Sequence, residues 1–215
     1  MTSEGQVRSR STIIATILVV VLALAAGVLT AKLLLKPKAD FSQLSATVFQ
    51  QPRALPPFDL LDHHGAAFTV DSLAGHWSFI FFGYTHCPDV CPTTLSVLNS
   101  VAARLAESPD PVRFIFVTVD PERDTPEVLA RYVTYFNGEF VGVTGERAVI
   151  DELTRQLGIL HMRVAGGDDA ASYLVDHTAS VLLFNPDGHY QGLFSPPLEA
   201  DTIATEFRTI AGALR

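Results

Sequence analysis

The sequence predicts an α/β domain, a central mixed β-sheet flanked by helices, with one transmembrane helix ahead of it. Three features predict this class. An uncharged apolar run lies near the N-terminus, strand and helix patterns alternate after it, and two cysteines directly follow the most apolar strand pattern. In open α/β sheets, ligands and reactive groups concentrate where a strand leads into a helix.

The apolar run covers residues 13–31, which are 19 positions without a charge. At about 1.5 Å per residue, a helix of this length spans the roughly 30 Å hydrocarbon core of a bilayer. Signal peptides have shorter apolar regions, about 7–15 residues. We therefore interpret residues 1–38 as a tail and an uncleaved membrane anchor, with a cleaved signal peptide as the alternative. Basic residues flank both ends of the run, so charge alone leaves its orientation open.

Acidic residues dominate the rest of the chain. Residues 39–215 contain 22 acidic residues, 10 arginines and no lysine, a net charge of −12. Such a surface repels phosphate backbones, so the composition argues against a nucleic-acid partner. The proline-containing residues 39–57 are predicted to be a tether, and residues 58–215 are long enough to form one domain with its own core.

The first half of this domain alternates strand and helix patterns. A nearly continuous apolar run with several aromatic residues, 77–83, is typical of a buried central strand. Thr125 and Pro126 suit the N-cap and the first position of a helix. In chain order, the predicted elements are strands 58–62 and 67–70 around a turn, strand 77–83, a helix from Thr93, strand 112–119, and a helix after Thr125.

The second half ends in a hairpin and a helix. The sequence Asn-Pro-Asp-Gly at 185–188 is a strong turn signal, so the strand after it is expected to return antiparallel. His177 lies between two strand patterns. The predicted elements are strand 140–143, helix 147–157, strands 172–176, 180–184 and 190–194, and an amphipathic helix 200–214. This order is that of the thioredoxin-like fold.

Cys87 and Cys91 are the two cysteines of the chain. A disulfide that closes so short a loop constrains little of the unfolded chain, so a purely stabilising role is not expected. Both precede a helix, whose dipole lowers the pKa of a thiol and favours the thiolate that binds metal or attacks a disulfide. The pair is therefore interpreted as metal ligands or as a redox-active disulfide.

His177 is the third candidate ligand. Thioredoxin-type oxidoreductases use C-x-x-C and place a proline before the strand facing the cysteines, whereas this chain has C-x-x-x-C and His177 at the corresponding place. Two soft thiolates with one imidazole favour Cu(I). Structural zinc needs a fourth ligand, for which His86 or Asp89 is available, so zinc stays an alternative.

Three motifs resemble the Sco/SenC family of copper chaperones. They are FFGYTHCPDVCP at 81–92, VDPERDTPE at 119–127 and VDHT at 175–178, and the resemblance extends over roughly residues 55–213. It implies that Cys87, Cys91 and His177 are copper ligands, for Cu(I) and, as an open question, for Cu(II). It also implies a binding and transfer module rather than an enzyme with turnover.

The resemblance implies a role in assembling the CuA centre of cytochrome c oxidase subunit II, by copper delivery, by reduction of that subunit's cysteines, or by both. It implies a single-pass protein of the bacterial inner membrane with its C-terminal domain in the periplasm. In that oxidising compartment the cysteine pair is expected to oxidise, so a thioredoxin-like reductase is an expected partner. The alternatives are a thiol-disulfide oxidoreductase, for which His177 would be dispensable, and a peroxiredoxin-like peroxidase.

Two acidic residues are candidates for supporting the ligands. Asp176 precedes His177 and is expected to accept a hydrogen bond from its ring, which would fix the tautomer; a simple turn residue is the alternative. Asp89 lies between the two cysteines and is expected close to the metal.

The remaining polar candidates are given structural roles. Asp120 and Asp124 belong to the loop before a helix and are expected to have no catalytic role. His63 and His64 flank a turn and are expected in solvent. Met162, although it has a soft sulfur, is expected to pack in the interior.

Overall fold

The structure is a computed structural model that describes residues 4–34, 39–165 and 173–215. The chain divides into two units, Met1–Ala39 and Asp40–Arg215. The first unit contains one helix, α1 (Glu4–Leu34). Its segment Thr12–Thr30 has 19 residues with a mean hydropathy of 2.8 and meets the length and composition needed to cross a membrane. A helix over the predicted segment 13–31 is therefore confirmed.

Within its described residues, the second unit has one mixed sheet of eight strands and a separate sheet of two strands. The strands are β1 (Thr47–Arg53), β2 (Asp59–Asp62), β3 (Ala67–Thr69), β4 (Trp77–Gly83), β5 (Val112–Thr118), β6 (Val141–Thr144), β7 (His161–Ala165), β8 (Tyr173–His177), β9 (Val181–Phe184) and β10 (Tyr190–Phe194). The helices are α2 (Val90–Leu105), α3 (Pro126–Phe136), α4 (Arg147–Leu157) and α5 (Ala200–Leu214). The large sheet has the order β1-β10-β9-β4-β5-β6-β2-β3, and β7 pairs with β8. The predicted thioredoxin-like α/β class is confirmed.

Strand β4 is the centre of the large sheet. All seven of its residues are buried, as expected for a strand with neighbours on both edges and covered faces. It pairs parallel with β5 and antiparallel with β9. Because β4 and β5 are parallel, the loops that follow them lie side by side, and the N–H of Val119 donates to the carbonyl oxygen of Gly83 at 2.8 Å.

An aromatic cluster packs the sheet against the last helix. The ring of Phe79 in β4 lies 5.1 Å from Phe114 and 5.3 Å from Phe207, measured between ring centroids. Trp77 meets Phe207 edge to face at 5.6 Å. Each such pair contributes roughly 0.5–1.5 kcal/mol beyond its buried area. The cluster therefore makes β4, which leads to the cysteines, a rigid support.

The segment 39–57, predicted to be a tether, belongs in part to the folded domain. Its strand β1 pairs antiparallel with β10 at the edge of the sheet. Just before β1, the carboxylate of Glu206 accepts hydrogen bonds from the N–H and the hydroxyl of Ser45, at 2.6 and 3.0 Å, and from the N–H of Ala46 at 2.9 Å. The sequence gives no sign of this strand because β1 is largely exposed and its register shifts, so it lacks the alternating pattern of a half-buried strand.

Candidate metal centre

Three segments bring the predicted ligands together. Cys87 lies in the loop after β4, Cys91 in the first turn of α2, and His177 at the end of β8. One ligand atom from each lies within 4.8 Å of the others. The helix was predicted from Thr93 and begins at Val90 instead, so the thiol of Cys91 is fixed by helical backbone and fully buried. Cys87 and His177 are half-buried.

The imidazole of His177 is oriented for coordination. Its Nε2 atom lies 3.2 Å from Sγ of Cys91, and its Nδ1 atom lies 3.1 Å from the carbonyl oxygen of Thr178. Because a carbonyl oxygen only accepts, Nδ1 carries the proton and Nε2 presents its lone pair to the sulfurs. Metal-binding histidines commonly donate their other ring N–H in this way, which fixes the tautomer.

The ring of His177 donates to the carbonyl of Thr178 and not to Asp176 as predicted, whereas the expected place of Asp89 close to a metal stays a prediction. Asp176 is exposed, because successive side chains of a strand point to opposite faces and that of its neighbour His177 points to the cysteines. The hydrogen bond expected from the His177 ring to the Asp176 carboxylate is instead accepted by the carbonyl oxygen of Thr178. The carboxylate of Asp89 is also exposed. Asp89 contributes through its backbone, whose N–H donates a hydrogen bond to the sulfur of Cys87.

The two thiols share one proton unequally. The pKa of Cys87 is lowered well below its ordinary value, mainly because the thiol of Cys91 donates a hydrogen bond to it, with further hydrogen bonds from the backbone N–H groups of Cys91 and Asp89. One of these is the N–H of Cys91, 3.3 Å from Sγ of Cys87. The pKa of Cys91 is raised, because its proton is held by Cys87 and because the thiol is buried. The pair thus carries one thiolate, and an incoming cation displaces the second proton.

Gly83, the last residue of β4, makes room for the buried thiol. A Cβ atom on Gly83 would lie 2.9 Å from Sγ of Cys91 and 2.8 Å from Cε2 of Phe116. Both distances are below those that real side chains allow, and both neighbours are themselves buried. Only glycine therefore lets α2 approach the end of β4 this closely.

Asp124 supports the loop that carries Cys87. Its fully buried carboxylate accepts hydrogen bonds from the N–H and the hydroxyl of Thr85, at 3.0 and 2.5 Å, and from the hydroxyl of Thr118 at 2.6 Å. Burial raises the pKa of Asp124. In the sequence, Asp124 is indistinguishable from an ordinary residue of a loop before a helix, and its role becomes visible only in the contact with Thr85, 39 positions away.

The other polar candidates lie elsewhere. His86 and Asp89, considered as a fourth zinc ligand, are exposed and stand outside the group of three ligand atoms. His63, expected in solvent, is buried: its Nδ1 accepts the N–H of Gly142 at 2.9 Å, and burial lowers its pKa. Met162, expected in the interior, has an exposed side chain at 65%.

Comparison with known proteins identifies the family. The sequence model described as SCO1/SenC matches residues 47–212. This chain belongs to the SCO1/SenC family. It is 36% identical to an SCO2-like protein of Rickettsia prowazekii over 152 residues, which are 71% of this chain and 74% of that relative.

Solved structures of the Sco family share the fold. The structure of Bradyrhizobium japonicum ScoI with copper bound is 36% identical, with a TM-score of 0.65 over 72% of this chain and 97% of that chain. Yeast Sco1 with copper bound is 28% identical, with a TM-score of 0.69 over 75% of this chain and 90% of that chain. The Sco family is linked to copper handling and to cytochrome c oxidase assembly.

The donor set of this Sco chain fits copper. Two thiols and the free Nε2 of an imidazole converge within 4.8 Å, and thiolates are the soft ligands that Cu(I) prefers. Cys87, Cys91 and His177 can therefore form a copper site in this chain.

Proposed function

We propose that this chain is a membrane-anchored copper chaperone that holds one Cu(I) between Cys87, Cys91 and His177 and delivers it to the CuA site of cytochrome c oxidase subunit II. The observation that carries the proposal is the orientation of His177, whose Nε2 faces the sulfur of Cys91 at 3.2 Å. A copper site uses this imidazole as its third ligand, whereas thiol-disulfide exchange needs the two cysteines alone. Membership of the Sco family supports the named acceptor.

The geometry also suits release of the ion. Cys91 is buried, whereas Cys87 and His177 are half-buried and accessible from outside. Three ligands leave Cu(I) open to an additional sulfur ligand. A thiolate of an acceptor protein can bind from the exposed side, after which Cys87 and His177 can dissociate one at a time. The ion is thus cargo that passes between soft ligands, and no free copper forms.

We further propose that α1 crosses the bacterial inner membrane once and that the domain lies in the periplasm. The apolar segment Thr12–Thr30 supports an anchor. Its orientation rests on family membership, since basic residues flank both ends.

In the periplasm the pair Cys87–Cys91 would oxidise to a disulfide, a redox-active state without thiolates for copper. Its reduction takes two electrons and two protons. A dithiol protein of the thioredoxin-like class can supply them by forming a disulfide of its own, so we propose such a reductase as a second partner.

One observation favours a second function, that of a thiol-disulfide oxidoreductase. The sulfur of Cys87 is half-buried and its pKa is lowered, as in an attacking thiol, and Cys91 lies behind it. The thiolate of Cys87 would attack a target disulfide and release one target thiol. Cys91 would then attack Cys87 and release the second, so that the target is reduced and the pair is oxidised.

An anaerobic competition titration with Cu(I) separates the two functions. The reduced full-length chain in detergent is compared with Cys87→Ala, Cys91→Ala and His177→Ala, and with His64→Ala as an exposed-histidine control. We expect one tightly bound equivalent, weakened in the three ligand variants and unchanged in the control. Weak binding throughout, or an effect of the cysteine variants alone, would contradict the copper site and favour the oxidoreductase.

A further inference from the structure

The hairpin that carries His177 is separate from the main sheet. Strands β7 and β8 pair with each other and form a sheet of their own. At the base of this hairpin, the N–H of Thr178 donates to the carbonyl oxygen of Leu160 at 2.9 Å, and the N–H of Leu160 donates to the hydroxyl of Thr178 at 3.0 Å. These bonds close the hairpin but do not attach it to the cysteine loop. The chain after His177 leads directly into β9 of the main sheet, and the rest of the hairpin is held by side-chain contacts.

Those contacts converge on Asp120, in the loop after β5. Its carboxylate is fully buried. Tyr173, the first residue of β8, donates its hydroxyl to Oδ1 at 2.6 Å. Arg123 donates from Nε to Oδ2 and from Nη1 to the carbonyl oxygen of Tyr173 at 3.2 Å, and its guanidinium lies 3.7 Å from the centre of the Tyr173 ring.

Ion pairs attach strand β7, the other strand of the hairpin, to the same loop. Arg163 in β7 lies 3.4 Å from Asp120 and donates to Glu122 at 2.6 Å. Arg147 in α4 also donates to Glu122. This hydrogen bond, together with the charges of Arg147 and Arg163, lowers the pKa of Glu122 to about 2. Both strands of the hairpin are thereby attached to the loop after β5.

Strand β8 also contacts the loop after β4, which carries Cys87. The hydroxyl of Tyr84, which directly follows Gly83, hydrogen-bonds to the backbone of Val175 in β8. Tyr173, Val175 and His177 alternate along β8 and share one face of the strand. Fixing Tyr173 at one end of this face therefore sets where His177 lies at the other end.

A buried carboxylate is costly unless its partners are in place, and removing one partner leaves the charge uncompensated. Arg123 pairs with Asp120 within the same loop, whereas Tyr173 and Arg163 reach the carboxylate from the hairpin, so the carboxylate has all its partners only when the hairpin is docked. The buried charge on Asp120 thus stabilises the position in which the β7–β8 hairpin packs against the loop after β5.

We propose that Asp120, Arg123 and Tyr173 are positioning residues for copper binding: they hold β8 so that Nε2 of His177 faces the two sulfurs. None of the three touches the ion. The inference rests on the proposed copper site and adds the residues that complete it. Without them, the two cysteines remain and the histidine ligand is lost for part of the time.

The test is a double-mutant cycle in the reduced full-length chain in detergent, with Cu(I) against a competing chelator. Tyr173→Phe removes one hydroxyl and keeps the ring. We expect it to weaken Cu(I) binding roughly tenfold, the usual effect of losing a residue that orients a ligand. Tyr135→Phe, which removes a hydroxyl from an exposed ring on α3, is the matched control.

Repeating Tyr173→Phe in a chain that also carries His177→Ala shows whether Tyr173 acts on copper binding through His177. If Tyr173 acts through His177, Tyr173→Phe has no further effect on Cu(I) affinity in that background, and the copper–nitrogen signal in X-ray absorption falls in the single variant. Equal weakening in both backgrounds, or no weakening in the wild-type background, would overturn the inference. A wild-type chain that leaves Cu(I) with the chelator would instead overturn the copper proposal itself. Asp120→Asn is the second variant, and its Cu(I) affinity is measured in the wild-type and His177→Ala backgrounds with the same expected results.

Discussion

Nε2 of His177 lies 3.2 Å from Sγ of Cys91, although 86 positions separate the two residues in the chain. Two elements with different supports meet at this contact. The thiol is fixed by the first turn of α2 against the end of β4, and the imidazole is carried by a hairpin outside the main sheet. The site therefore has a rigid sulfur half and a histidine half held by side-chain contacts, and each half can be tested separately.

The rigid half depends on Gly83. In Gly83→Ala, the new methyl group would press against Cys91 and Phe116. We expect a loss of about 1–3 kcal/mol in the free energy of unfolding, typical of overpacking in a dense core, together with weaker Cu(I) binding. Chemical denaturation and competition titration measure the two effects.

Gly138→Ala is the matched control, because a Cβ atom there meets nothing within 4 Å. If Gly83→Ala behaved like this control, the close approach of α2 to β4 would not constrain the site.

Asp124 supports the loop before Cys87. The carboxylate accepts three hydrogen bonds, whereas the amide in Asp124→Asn offers one oxygen and a competing donor. At least one donor from Thr85 or Thr118 is then left without an acceptor, which costs about 1–3 kcal/mol of stability. We expect Cu(I) affinity to fall as well, because the loop shifts. The exposed Asp187 provides a control as Asp187→Asn, and equal stability of the two variants would argue against the support role.

The redox state of the cysteines should gate copper binding. The disulfide form has no thiolate to offer, so we expect the oxidised chain to bind Cu(I) far more weakly than the dithiol form. Reduction by a thioredoxin-like dithiol protein should restore one equivalent. The measurement is Cu(I) competition before and after reduction, with free thiols counted in parallel. Equal uptake by both forms would show that the sulfurs are not ligands.

Much of this architecture can be predicted from local patterns. The apolar run 77–83 is strand β4, and Thr125 caps α3, accepting the N–H of Val128 at 3.4 Å, with Pro126 next in the chain. The turn at 185–188 has Gly188 at a φ of 74°, where glycine is favoured. Each of these depends on a few neighbouring residues, so the signal lies within one short window of sequence.

Contacts between distant segments leave no such signal. Glu206 reaches Ser45 across 161 positions, and Tyr173 reaches Asp120 across 53. Strand β7 has no clear sequence pattern, because most of its residues are exposed and it pairs with β8 outside the main sheet. The place of His177 was inferred from the fold and the family resemblance together, while the carbonyl of Thr178 that orients its ring has no mark in the sequence.

Removing the Glu206 carboxylate tests whether the segment before β1 belongs to the folded domain. Glu206→Ala removes the acceptor of three hydrogen bonds from Ser45 and Ala46. We expect a loss of about 1–3 kcal/mol in the free energy of unfolding and faster proteolysis before Thr47. Glu107→Ala, at an exposed position, is the control. Unchanged stability and cleavage would support a free tether.

The central claim is that this chain holds Cu(I) between two sulfurs and one imidazole nitrogen. X-ray absorption on the reduced full-length chain in detergent, loaded with one equivalent of Cu(I), tests it most directly. We predict two sulfur neighbours and one nitrogen neighbour in the wild-type chain, and loss of the nitrogen in His177→Ala with both sulfurs kept. A site with sulfur neighbours alone in the wild type, or a nitrogen that persists in His177→Ala, would contradict the account.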